Sequence, residues 1–129
     1  MAKTIAMIIG VVFILVGLVG FVSHNFLGTH LSLAHNLIHL ISGAVSLYLG
    51  LQGSLSAARL FCFIFGAVYL LLGVVGFLLG TGAERMFTLI PGSLELGTMD
   101  HIVHVLFGAV YLIGGALTRA DVVPDGRAT

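Results

Sequence analysis

Six histidines stand out in a chain that is otherwise mostly apolar: His24, His30, His35, His39, His101 and His104. His35 and His39 are four residues apart and His101 and His104 three apart, so each pair shares one face of a helix. Asn36 and Asp100 sit among them. Ionisable side chains inside a segment apolar enough to enter lipid are expensive, and they mark a functional site by default. An imidazole placed there can ligate a metal ion, serve as the axial ligand of a tetrapyrrole, or carry a proton near neutral pH.

Four uses of the constellation compete. In the first, His35, Asn36, Asp100 and His101 hydrogen-bond across the second and fourth helices and only fix their pairing. In the second, His39 and His104 are axial ligands to a haem or a chlorophyll, and Gly43 and Gly108, one turn further on, leave room for the flat ring. In the third, His35, His39, His101 and His104 supply nitrogens to zinc or copper, with Asp100 as a ligand or as the group that orients one. The fourth is proton or quinone chemistry. His24 and His30 fall in a connector and read as solvated.

Other chemistries have no support. No Ser-His-Asp order, phosphate-binding loop or HExxH motif is present. The five basic and five acidic residues cancel, which gives no footprint for nucleic acid. Cys62 is the single cysteine and lies in an apolar run, where it reads as a small core filler.

The elements that must carry these side chains are membrane spans. Of 129 residues, 59% are hydrophobic and only 8% charged, with a mean hydropathy of +1.20. A soluble domain carries about 25% charged residues. Four runs are long enough to cross a ~30 Å hydrocarbon core at ~1.5 Å per residue. They are residues 4–22, 32–51, 58–79 and 98–117. A loop spans 80–97, a polar tail spans 118–129, and the whole reads as a single integral membrane domain. Lys3 before the first run also suits a signal peptide, but that run is copied later in the chain. Gly10, Leu15, Gly17, Gly20 and Phe21 align with Gly66, Leu71, Gly73, Gly76 and Phe77.

The other two spans align as well. Setting Gly43-Ala44-Val45 on Gly108-Ala109-Val110 puts His39 opposite His104, Asn36 opposite His101 and His35 opposite Asp100. The expected fold is all-α: a four-transmembrane-helix up-down bundle of two pseudo-repeated helical hairpins. Glycines seven apart (Gly10 and Gly17, Gly43 and Gly50, Gly66, Gly73 and Gly80) predict close-packed seams. In the loop, Met86 to Ile90 is too short to span and is expected on the membrane surface or folded over the bundle end. Thr98 is the expected cap of the fourth helix. Tyr48, Tyr69 and Tyr111 are expected in the core. Lys3, Arg59, Arg119 and Arg127 fall on one side and only Arg85 on the other, which predicts cytoplasmic N and C termini. All six histidines then lie at the extracytoplasmic end.

The motif His35-Asn36-Leu37-Ile38-His39-Leu40, followed by Met99-Asp100-His101 with His104-Val105 and Gly108, resembles a bacterial family of four-helix membrane proteins known only as a domain of unknown function. The family's second motif reads Asp-Asn-x-x-His. Here His101 stands at the Asn position and adds a ligand or base. Leu89-Ile90-Pro91 fits too, and the likeness covers residues 4–117. It implies a multi-pass protein of the bacterial inner membrane and no established activity.

The expected function is non-enzymatic: a small membrane protein that binds a tetrapyrrole or a metal ion among His35, His39, His101 and His104. The alternative is a structural accessory subunit of a larger photosynthetic or respiratory complex. The expected partners are the lipid bilayer and such a complex or further copies of the chain, with no nucleic acid.

Overall fold

A computed structural model describes residues 1–119. Most of them lie in α1 (Ala2–Gly20), α2 (Leu33–Leu51), α3 (Leu55–Leu79) and α4 (Thr98–Leu117). Each helix is long and apolar enough to cross a membrane. The chain is a multi-pass membrane protein in contact with the bilayer.

The helix ends follow their caps. The Ser32 hydroxyl accepts the His35 N–H at 3.2 Å and starts α2. Ser54 does the same for Ala57 at 3.1 Å, so α3 begins at Leu55, before the expected residue 58. The first helix closes at Gly20 rather than 22, and Val22 is 90% exposed in the turn beyond. The cap of α4 is Gly97, not Thr98. The Thr98 hydroxyl donates instead to the Glu84 carbonyl at 2.9 Å, while the Asp100 carboxylate takes the Gly97 N–H at 2.8 Å.

The helices pack as two hairpins, α1 on α2 and α3 on α4, with sparser contact between the hairpins. Glycine makes both seams. A Cβ on Gly10 would lie 2.9 Å from the Gly43 carbonyl oxygen, and one on Gly43 would lie 2.8 Å from that of Gly10. Gly66 and Gly108 repeat the arrangement at 3.0 and 2.8 Å. The identical hexapeptides Phe65 to Leu70 and Phe107 to Leu112 therefore run antiparallel and cross at their own glycines. About two to three turns further along each seam, the Asn36 side chain rests on Gly20, and the His101 ring rests on Gly76 in the same way. Gly80 departs from the seam and meets the Arg85 backbone in the loop.

Equivalent positions also meet where the hairpins face each other. Phe13 packs on Tyr69 with ring centroids 5.2 Å apart, and the Ser46 and Tyr111 hydroxyls are 2.8 Å apart. Ala2, Ala6, Phe13, Ala58 and Cys62 complete the dry core at this level. Ile41 and Val45 on α2, and Ile102 and Leu106 on α4, stay exposed and face lipid. Tyr48 joins that surface at 63% exposed, contrary to its expected core position.

The Ala2 N–H donates to the Thr118 hydroxyl oxygen at 2.7 Å, so α1 starts where α4 ends, as an up-down bundle requires. Thr118, expected as the first residue of the polar tail, is thus buried at the end of α4. Residues 120–129 of the expected tail, Arg127 among them, lie outside the described residues.

The 80–97 loop holds an unexpected antiparallel pair, β1 (Phe87–Ile90) and β2 (Leu94–Leu96), joined through Pro91-Gly92. Leu94 and Leu96 are buried, so the segment folds over the bundle end. The Ser32 hydroxyl ties it down by donating to the Ser93 carbonyl.

Candidate metal centre

Three histidines converge beneath that hairpin. His35 and His39 project from α2 and His104 from α4, all three are buried, and one ligand atom from each lies within 4.8 Å of the others. A tetrahedral zinc with Zn–N ~2.1 Å sets its ligand nitrogens about 3.4 Å apart, so modest side-chain torsions bring the rings onto one ion. The His35 and His39 centroids are 4.2 Å apart, and those of His35 and His104 5.9 Å apart. Phe13 stacks on His39 at 5.2 Å, and its equivalent Tyr69 packs on His104 at 5.4 Å. The aromatic rings hold two of the three imidazoles from either side.

Hydrogen bonding sets the chemistry of the cluster. His35 Nδ1–H donates to the His30 carbonyl at 2.8 Å, which leaves the Nε2 lone pair free. A metal-bound imidazole is commonly oriented this way, by a carbonyl on its other nitrogen. His35 Nε2, both ring nitrogens of His39 and His104 Nδ1 are buried without a hydrogen-bond partner among the described residues. Each unsatisfied buried group costs about 1–3 kcal/mol. A cation is the one partner that would satisfy three lone pairs at once.

Asp100 is beside the cluster rather than in it, with Oδ1 3.9 Å from His35 Nδ1. Its carboxylate accepts the His30 N–H at 3.2 and 3.1 Å and contacts His30 Nδ1 at 3.2 Å. His30 also reaches Glu84, 3.4 Å from Nε2, so it is a structural partner and not merely solvated. His24, by contrast, is exposed, with its Nδ1 3.1 Å from the Leu31 carbonyl oxygen.

His101 is not brought into the cluster. Its Nε2 donates to the Arg85 carbonyl at 2.8 Å, and its ring packs on Phe77 at 5.2 Å. The reason is its register: it occupies the Asn36-equivalent place on the seam, facing α3. Asn36 itself makes no side-chain hydrogen bond among the described residues. The expected lattice of bonds across the second and fourth helices reduces to the approach of Asp100 to His35.

The room foreseen for a tetrapyrrole is absent. Gly43 and Gly108 are filled by the backbones of α1 and α3. Arg85, the one basic residue that the sequence places at that end, caps α3 by donating to the Phe77 carbonyl at 3.0 Å.

Two spaces flank the cluster. On the α2/α3 side a cavity of about 50 Å³ is roofed by Leu89, Leu94 and Leu96. On the α1/α4 side a larger one of about 290 Å³ exposes His35, His39 and His104 at one end. Neither the hairpin roof nor the lateral cavity had a sequence signal beyond the apolar loop segment.

No curated protein and no solved structure matches the chain. A family profile does, and over nearly all of the helical region. On its match to residues 3–117, the chain belongs to the family described as Domain of unknown function (DUF4383).

Proposed function

We propose that this is a small membrane protein whose buried His35, His39 and His104 bind one borderline metal ion, zinc or copper, and that it has no catalytic activity of its own. The observation that carries the reading is the convergence of three buried imidazoles, with His35 Nε2, both His39 ring nitrogens and His104 Nδ1 lacking a hydrogen-bond partner among the described residues. Nitrogen ligands of this kind suit those ions, and the His30 carbonyl supplies the orienting contact. A purely structural role would leave the His39 ring with neither donor nor acceptor satisfied, which argues against the accessory-subunit reading. The orientation we favour puts both termini in the cytoplasm of a bacterial cell and the metal toward the outer leaflet.

The test is purification in mild detergent, quantification of bound metals and an absorption spectrum. Stoichiometric zinc or copper that is lost in His39→Ala and His104→Ala supports the proposal. A metal-free protein that takes up neither ion, or one with a Soret band, overturns it.

A further inference from the structure

Three imidazoles fill three of the four positions that a tetrahedral ion offers, and no fourth protein ligand joins them among the described residues. The open position has somewhere to face. The 290 Å³ cavity has the three histidines and Asp100 at one end and Val12, Val16, Val103 and Phe107 along its walls. Those walls belong to α1 and α4, which contact each other only sparsely, so the space runs between two spans, with Phe26, Leu27 and Thr29 of the connector and Met99 lining it toward the bundle end.

The walls are apolar and the end is charged, which is the pattern of an amphiphile. Its volume is at the lower edge of the ~300–1,000 Å³ typical of small-molecule pockets, enough for a head and the start of one chain. Charge selects the head. Neutral imidazoles leave both charges of a divalent ion uncancelled, and Asp100 contributes one formal negative charge beside the cluster. An uncompensated charge in so apolar a place is costly, so a monoanionic oxygen ligand completes the balance.

We propose that the fourth coordination position takes the carboxylate of a single-chain fatty acid, which enters from the bilayer between α1 and α4. The inference rests on the metal reading above and adds the identity of the ion's external ligand. Without the cation, Asp100 would repel the head, so binding depends on metal.

The full chain loaded with cobalt(II) in nanodiscs provides the test. Cobalt(II) visible bands report changes in coordination. Added decanoate should change them saturably, while decanol should not. A fatty acid carrying a mid-chain diazirine should crosslink to residues 12–16 and 103–107, at least fivefold more in the loaded protein than in the metal-free one. Cobalt bands indifferent to decanoate overturn the inference while leaving the metal centre intact. So does crosslinking that is elsewhere or independent of metal. A chain that takes up no cobalt overturns the metal centre itself and this ligand with it.

Discussion

At the scale of single residues, the histidines divide into three kinds by what their rings face. His35, His39 and His104 face one another; His101 faces a glycine seam; His30 joins the connector to Asp100. Substitutions should separate these roles. His39→Ala or His104→Ala should reduce bound metal from about one ion per chain to a trace. His101→Ala should retain the metal and lower only stability, since it removes a packed ring and its bond to Arg85. Metal analysis of the three variants side by side checks this, and loss of the ion from His101→Ala would contradict the division. Asp100→Ala leaves two backbone N–H groups, those of His30 and Gly97, without their acceptor. At about 1 kcal/mol for each lost hydrogen bond, the expected destabilisation is about 2 kcal/mol, measurable as a lower midpoint in a thermal or denaturant scan.

At the scale of elements, the unit is the helical hairpin, used twice. A membrane offers no hydrophobic drive between spans, so close backbone approach through glycine carries association. Each hairpin is closed by one reciprocal glycine pair in the same register, Gly10 with Gly43 and Gly66 with Gly108. Adding a methyl group should therefore cost both hairpins alike. Gly10→Ala and Gly66→Ala are each expected to lose about 1–3 kcal/mol through overpacking, and unequal losses would show that the two seams are not equivalent. Chemistry enters where the copies differ. Phe13 corresponds to Tyr69, Ser46 to Tyr111, His35 to Asp100 and Asn36 to His101. One copy supplies two of the three clustered imidazoles, and the other supplies the third together with the neighbouring carboxylate.

At the scale of the whole molecule, the clustered histidines and Asp100 lie toward one end of the bundle, and among the described residues Lys3 and Arg59 lie toward the other. The proposed orientation can be read by labelling, because the only native cysteine, Cys62, is fully buried and should stay silent. Cysteine placed at Ser93 in the hairpin turn should react with a membrane-impermeant maleimide added to intact cells. Cysteine at Gln52, in the α2–α3 turn, should react only after lysis. The reverse pattern would invert the bundle. Metal should also link to global stability, since an ion that binds only the folded state stabilises it by mass action. Stripping the purified protein with a chelator should lower its unfolding temperature, and His39→Ala should make that temperature insensitive to chelator.

Much of this was written in local pattern. Four apolar runs of spanning length, glycines at sevenfold spacing and histidines at helical spacing need only neighbouring residues to be read. Aligning the runs also foretold which positions are equivalent. Tertiary structure alone decided which rings meet. His101 and His104 sit three apart on the same helix, yet one faces α3 and the other faces α2, because a helix turns about 100° per residue and two neighbouring helices divide that face between them. The room expected at Gly43 and Gly108 was lost for a related reason: a missing side chain is a space only until a partner backbone fills it, and which partner arrives is settled by packing rather than by sequence.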